Sequence, residues 1–320
     1  MEVIKWGIIG AGSIAAKFAA DLKAVPNCEI IAISSTSQDR ADAFAKIWDI
    51  PYACGTYESM FELPLDAVYV ASRHPFHMEH TLLCIKHKVA VLCEKPFGMN
   101  AAEVDTMINA AQSEKVFLME ALWSRFHPTL IKTKELLAEN KVGKVITFHA
   151  DFGFKGVYDP TNRLYDPSKG GGALLDIGIY PAFFAYAFFG YPDQIMASSI
   201  LAPTGTDQST AFIFTYKDSH SAVLNCTFAA NTNCEAIIYG ELGKITIHGR
   251  FHESKKVSFT GNEGLVETFD FPRETFGYDF EIAHVNDCLR NNLTESPMMS
   301  HTMSRDLIRL LDTINTKARA

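Results

Sequence analysis

The sequence predicts an α/β chain with a doubly wound parallel sheet in its N-terminal part. An α+β part on a large, mostly antiparallel open sheet follows. Two observations carry this. Up to about residue 120, short Val/Ile-rich runs alternate with amphipathic stretches, and from 194 onward strand patterns succeed one another with little helix between them. A third, the length of 320 residues, suits about two domains, drawn at 1–122 and 123–320.

Taken in order, Val3–Ile9, Glu29–Ser34, Ala67–Ala71, Val89–Cys93 and Val116–Met119 read as buried strands, being short, apolar and rich in β-branched residues. Ile14–Leu22, Arg40–Trp48, Met78–Lys86 and Ala101–Ala111 carry the helical period between them. Such alternation requires crossover helices and therefore parallel strands. The second part opens with a helix at Pro128–Glu139, a strand at Val145–Phe154 and a Gly/Pro/Asp-rich stretch at Asp159–Gly172. A very apolar helix with Pro181 near its start comes next. Strands are expected at 195–201, 210–216, 221–228, 235–239, 244–248, 255–260 and 265–271, and a closing helix at Ser304–Lys317. The link Glu241-Leu242-Gly243 suits a hairpin. Helices cover one face of such a sheet well, so the other is a candidate subunit interface.

Hydrophobic residues make up 48% and charged residues 21%, enough apolar surface for two real cores. The net charge of -8 offers no basic field for nucleic acid or an anionic membrane. The apolar window Ala173–Gly190 is interrupted by Asp176, Gly178 and Pro181, which suits a core helix rather than a membrane span. Cysteines at 28, 54, 84, 93, 226, 234 and 288 are odd in number and form no C-x-x-C, so reduced thiols in a cytoplasmic protein are expected.

Directly after the first strand stands Gly10-Ala11-Gly12-Ser13-Ile14-Ala15, a G-x-G-x-x-A turn opening a helix. Gly10 permits the tight turn, Gly12 lets a pyrophosphate approach the backbone, and Ala15 lets helix and strand pack closely. The helix N-terminus adds N–H groups and a positive dipole end at Ser13 and Ile14. These features predict a dinucleotide site. The second strand ends in Ser34-Ser35-Thr36-Ser37-Gln38-Asp39-Arg40, with no acid at its tip to bond a ribose 2′-hydroxyl. Hydroxyls of Ser35, Thr36 and Ser37 and the guanidinium of Arg40 suit a 2′-phosphate, which predicts NADP(H).

Two further motifs carry chemistry. Cys93-Glu94-Lys95-Pro96 follows a buried strand at the carboxyl edge of the parallel sheet, where ligands bind in open α/β folds. Gly170-Gly171-Gly172-Ala173-Leu174-Leu175-Asp176-Ile177-Gly178-Ile179-Tyr180 sets Asp176 and Tyr180 on one side of an apolar helix. Together the three motifs resemble the glucose–fructose oxidoreductase / inositol dehydrogenase family (Gfo/Idh/MocA) over nearly the whole chain, as far as Glu295-Ser296-Pro297. The stretch Met119-Glu120-Ala121-Leu122-Trp123-Ser124-Arg125-Phe126 is similar to the family's dihydrodiol-oxidising branch. That branch also carries tyrosine at the position of Tyr180, where many sugar and inositol dehydrogenases have histidine.

The resemblance implies a Rossmann domain, a homodimer through the C-terminal sheet, and an active site in the cleft between the domains. It implies that Lys95 is the active-site lysine, on a Lys95–Pro96 bond able to be cis, with Asp176 and Tyr180 as its partners. It also implies cofactor contacts from Ser72, His74 and His77 after the Ala67–Ala71 strand, and from Glu94, Lys95 and Arg125. Lysine and tyrosine both ordinarily titrate near pH ~10, so either needs a neighbouring cation to act as a base. Which of Lys95 and Tyr180 moves the proton is open at this level, with Asp176 holding substrate or Lys95. Trp123, Arg125, Phe152, Phe154 and Phe276 are the candidate pocket residues, with Trp123 and Arg125 favoured by the stretch that carries the resemblance. His74, His77 and His80 recur at intervals of three, which drifts around a helix axis and predicts no metal site.

The expected function is an NADP(H)-dependent oxidoreductase acting on a small vicinal diol, sugar or hydroxy-carbonyl. The alternatives are an NADP(H)-binding regulator or redox sensor without turnover, and an NAD(H)-dependent enzyme of inositol or another polyol.

Overall fold

In the computed structural model, which describes residues 2–218 and 220–320, the N-terminal alternation closes into a parallel sheet. Its strands are β1 (Ile4–Ile9), β2 (Cys28–Ser34), β3 (Tyr52–Cys54), β4 (Ala67–Val70), β5 (Ala90–Glu94) and β6 (Leu118–Ala121). Helices α1 (Ser13–Leu22), α2 (Gln38–Trp48), α3 (His77–Lys86) and α4 (Ala101–Glu114) form the crossovers. The order is β3-β2-β1-β4-β5-β6, with every neighbour parallel. Direction of strand addition reverses between β1 and β4, which places a crevice at their carboxyl ends. Every residue of β4 and β5 is buried, as strands covered on both faces require. Strand β3, three residues long, adds an edge that the apolar pattern did not announce.

In the second part, α5 (Pro128–Ala138) and β7 (Val145–Gly153) precede a π-helical turn at Leu174–Gly178 and α6 (Ile179–Phe189). Then come β8 (Gln194–Leu201), β9 (Asp207–Thr215), β10 (Ser221–Thr227), β11 (Ala236–Gly240), β12 (Gly243–Ile247), β13 (Lys256–Gly261) and β14 (Val266–Asp270). The sheet order is β14-β13-β12-β11-β7-β10-β9-β8. Only β7 and β10 pair in parallel among the described strands of this sheet. Burial alternates along β10, and its inward side chains Ala222, Leu224 and Cys226 face the same side as Phe148, Phe212 and Phe214. Helix α6 packs on that side, burying Phe183 and Phe184. Each such large apolar side chain contributes roughly 1.5–3 kcal/mol by leaving water. The apolar stretch Pro167–Phe189 is long and apolar enough to cross a membrane by composition, and 72% of its apolar window is buried in the structure.

Helices α7 (Asp279–Arg290) and α8 (His301–Ala318) complete the chain. One unit runs from the N-terminus to Trp123 and takes in Glu274–Arg305, while the other comprises Ser124–Arg273 and Asp306–Ala320. The sequence reading drew one crossing after 122; the chain instead returns to the first unit for α7. Physical anchors explain the return. Asp21 on α1 accepts the backbone N–H groups of Phe276, Gly277 and Tyr278 at 2.9, 2.8 and 2.8 Å, and Asn286 Oδ1 accepts the Trp6 indole N–H at 3.0 Å. All seven cysteines are free thiols.

Candidate active site

The carboxyl ends of β1, β2, β4 and β5 share one edge of the first unit, and most of the cofactor candidates gather there. Gly10 has φ +104°, and a Cβ on it would stand 2.6 Å from Ala71 O at the end of β4. Only glycine fits that approach. Gly12 caps α1 from an extended conformation, and a Cβ there would meet nothing within 4 Å. Open space thus lies in front of the first helical turn, beside exposed Ser13 and Ile14, while Ala15 is fully buried against the sheet. At the end of β2, Ser35 is buried and Thr36, Ser37 and Arg40 are exposed. Arg40 Nε donates to Ser35 Oγ at 3.4 Å and Nη2 to Ala11 O at 3.2 Å, so its guanidinium lies along the glycine turn. The open space before Gly12, a helix N-terminus and a guanidinium at its side fit the diphosphate and ribose of a dinucleotide.

Lys95 follows β5 directly, and the Lys95–Pro96 peptide is cis. Its turn is braced from several sides. Glu94 is buried and accepts the Lys95 N–H at 3.1 Å and the Tyr69 hydroxyl, while Tyr69 stacks on Phe18. Glu94, expected at the cofactor, thus bonds the turn and Tyr69 through its two carboxylate oxygens. His77 is fully buried, with Nδ1 2.8 Å from Pro96 O and Nε2 3.1 Å from Ser72 O. Burial pushes its pKa down to about 4, so the ring is neutral and its one proton serves one carbonyl at a time. His77 thus ties the Ser72 loop to the Lys95 turn. His80, pushed down to about 4 by burial as well, meets Ser72 Oγ at 2.9 Å. The half-buried His74 ring lies 5.7 Å from that of His77.

Glu120 on β6 was absent from the site expected from sequence. It is buried beneath the same turn, and Oε1 accepts the Phe97 N–H at 3.2 Å. Burial pushes its pKa up to about 7, opposed by hydrogen bonds from Ser304 and the Phe97 N–H and by the charge of Lys95, with Glu94 adding to the rise. A lone glutamate within Leu118–Ala121 was the available signal, because an acid in a fully buried strand needs a reason to be there. Trp123 is buried and stacks on Tyr278 at 4.5 Å, which commits one of its faces to packing. Phe276 is exposed under the Lys17 ammonium.

In the second unit, Asp176 lies in the π-helical turn and Tyr180 in the first turn of α6, both buried. Wide turns of this kind recur at functional sites. Arg163 donates to Asp176 Oδ2 at 3.0 Å. Around Tyr180 stand Phe152, with ring centroids 5.7 Å apart, and His252, at 4.8 Å. His252 stacks on Phe152 at 4.2 Å, and Arg250 reaches His252 Nε2 at 3.4 Å while lying over the Phe152 ring. Phe152 and Tyr180 thus share one aromatic cluster. Sequence reasoning missed Arg163, Arg250 and His252. The signal for the last two was Arg250-Phe251-His252-Glu253, a charged and aromatic run between strands. Arg125 is half-buried, and burial lowers its guanidinium pKa.

Comparison with known proteins adds the following. A family model described as the oxidoreductase family with an NAD-binding Rossmann fold, GFO/IDH/MocA, matches residues 4–122. The model of the GFO/IDH/MocA C-terminal domain matches residues 130–246. Trans-1,2-dihydrobenzene-1,2-diol dehydrogenase of Xenopus tropicalis is 36% identical over 321 residues, covering 96% of each chain. The enzyme of that name from Danio rerio is 37% identical, over 97% of this chain and 95% of its own. Among solved structures, a 3-ketoreductase from Actinomadura kijaniata with NADP and TDP-benzene superposes with TM-score 0.88 at 24% identity, covering 99% of this chain and 98% of its own. An aldose–aldose oxidoreductase from Caulobacter crescentus, complexed with glycerol, gives 0.89 at 21% identity with the same coverage. At these identities the structural likeness carries the fold.

Proposed function

The chain belongs to the GFO/IDH/MocA oxidoreductase family, and on that premise we propose that it is an NADP(H)-dependent dehydrogenase or reductase of CH–OH groups. Its substrate is a small vicinal diol, sugar or the corresponding hydroxy-carbonyl. The relatives named for dihydrodiol oxidation and the neighbours named for ketone and sugar chemistry support that class. The observation that carries the reading is the meeting, on one sheet edge, of the glycine turn, the Ser35–Arg40 corner and the braced Lys95 turn.

When bound, the nicotinamide supplies the hydride acceptor for oxidation and the donor for reduction. Gly10, Gly12, Ser13 and Ile14 hold the diphosphate at the start of α1. Ser35, Thr36, Ser37 and Arg40 hold a 2′-phosphate through charge-assisted bonds. Lys95 and Tyr180 bond the reacting oxygen and carry its proton, away in oxidation and back in reduction. Asp176, paired with Arg163, accepts a hydrogen bond from the substrate's second hydroxyl and so orients the carbon. The aromatic wall of Phe152 and His252 excludes water from one side of that oxygen.

An absorbance assay of cofactor turnover over diols, aldoses and dicarbonyls, run with NADP and with NAD, tests this. Turnover of at least one diol or hydroxy-carbonyl with a lower KM for NADP is expected. A clear NAD preference contradicts the cofactor assignment. Tight NADPH binding with no turnover of any polyol or dicarbonyl points instead to a binding protein without catalysis.

A homodimer through the open sheet face is part of the same reading. The outward side chains of β8, β9 and β10 include Met196, Ile200, Ile213 and Val223, and none along these three strands' outward rows is ionisable. Met196 is 54% and Ile200 67% exposed in the single chain, a large apolar investment for a surface facing water. Light scattering is expected to give twice the chain mass, and Val223→Asp to halve it. A monomeric wild-type protein contradicts the dimer.

A further inference from the structure

The glycine run Gly170–Gly172 and the first strand residue Asp207 meet at the start of the helix that bears Asp176 and Tyr180. Asp207, at the start of β9, is buried. Its Oδ2 accepts the N–H of Leu174, the first residue of the π-helical turn, at 2.6 Å. The Thr210 hydroxyl donates to the same oxygen at 3.1 Å. Gly172 has φ +129°, and a Cβ there would collide with Asp207 Oδ1. The carboxylate therefore occupies the space a side chain at 172 would take. Next to it, a Cβ on Gly171 would stand 2.9 Å from the Asp166 backbone, to which the Gly171 N–H is already bonded at 3.0 Å. The neighbouring Thr206 hydroxyl donates to Tyr165 O at 3.4 Å, on the same loop that carries Arg163. One corner of β9 thus holds both the helix start, through Asp207, and the Arg163 loop, through Thr206.

We propose that Asp207 is a positioning residue for the reaction: by holding the Leu174 N–H it fixes the π-helical turn at the height where Asp176 meets Arg163 and Tyr180 meets Phe152 and His252. Helix starts leave N–H groups without intrahelical partners, and a buried one must find an acceptor or the turn must shift. Glycine at 172 suits both the backbone φ of +129° and the close approach of Asp207. This inference rests on the reading that Asp176 and Tyr180 serve hydride transfer; Asp207 touches neither substrate nor cofactor in it.

The test compares Asp207→Ala, Asp207→Asn and Thr210→Val in the full chain. Asp207→Ala removes the acceptor. Its kcat is expected to fall about 100-fold, the cost of a shift of about 1 Å in a reacting geometry. The NADPH dissociation constant is expected to stay within a factor of about two of wild type, because the cofactor loop is untouched. Asp207→Asn keeps an oxygen for the Leu174 N–H and is expected to restore kcat to within a factor of about five. Wild-type kcat in Asp207→Ala, or equal losses in the Asn and Ala variants, overturns the proposal. If Asp207→Ala does not fold, Thr210→Val decides. It leaves the carboxylate but frees its orientation, and a severalfold fall in kcat supports the role where an unchanged kcat overturns it.

A second readout needs no turnover. The Leu174 amide is expected to exchange slowly with solvent in the wild type and about 100-fold faster in Asp207→Ala, or faster to a smaller degree in Thr210→Val. Equal exchange overturns the brace. Slow wild-type exchange in a protein with no turnover on any substrate sinks the enzymatic reading while leaving the brace intact.

Discussion

Lys95→Met is expected to lower kcat by about a thousandfold while changing cofactor affinity by no more than a factor of about two. Methionine keeps the length and apolar stem of lysine and removes the ammonium. The turn itself should persist, because backbone groups of Lys95, Pro96 and Phe97 take part in holding it. Glu94 accepts the Lys95 backbone N–H, and the buried His77 ring lies between Pro96 O and Ser72 O, donating its one proton to one of them. Nothing in the glycine turn or around Arg40 changes either, so the dinucleotide should bind as before. What disappears is a proton carrier at the reacting oxygen, and positioned general acids and bases contribute about 10²–10⁴-fold. Titration with NADPH and steady-state kinetics on one substrate give both numbers. A variant that retains most of its kcat assigns Lys95 to ribose contacts and leaves proton transfer to other groups.

Glu120→Gln is expected to become more stable than the wild type as pH rises, by about 3 kcal/mol between pH 4.5 and pH 8 at about 1.4 kcal/mol per pKa unit. The sign follows from burial. In the folded chain the carboxyl pKa is pushed up to about 7 from an ordinary value of 4.5, chiefly because burial disfavours its charge. Between these values the folded state holds a proton that the unfolded state has released. The group's contribution is therefore fully present below pH 4.5 and lost as pH climbs through about 7. Glutamine cannot ionise, and its amide oxygen can still accept the Phe97 N–H that Glu120 takes at 3.2 Å. Comparing variant with wild type at each pH cancels the opposing contributions of His77 and His80, whose pKa values are lowered by burial. Urea unfolding at pH 5, 6, 7 and 8 measures the difference. A gap that does not change with pH means that Glu120 is charged throughout, held by Ser304, the Phe97 N–H and Lys95 rather than neutralised by burial.

What could be read from the sequence was whatever local physics controls. Glycines at 10 and 12 announce a tight turn between strand and helix, and alternating runs of Val and Ile against amphipathic stretches give the parallel sheet its strand count within one short edge strand. Helix α7 escaped because polar Glu281 and Asn286 stand on its buried face and blur the apolar stripe. Asn286 answers Trp6, 280 residues away, a pairing no window can see. For the same reason the return of Glu274–Arg305 to the first unit was invisible: it hangs on three backbone N–H groups bonding Asp21. The place of Asp176 and Tyr180 on one helical segment was legible by spacing, but Arg163 reaches Asp176, His252 reaches Tyr180 and Arg250 reaches His252 only through loops whose shape the folded chain sets. The E-K-P motif named Lys95, while its supports, His77 and Glu120, could be assigned only from burial and bonding.

A crystal of the protein with NADP and a bound diol gives the most direct test of the pairing of Lys95 with Tyr180. Lysine Nζ and tyrosine Oη are expected within about 3 Å of one and the same substrate hydroxyl, whose carbon faces nicotinamide C4. Either side chain turned away from that oxygen, or both bonded only to ribose and protein, would leave the dinucleotide fold without the proton chemistry assigned to it here.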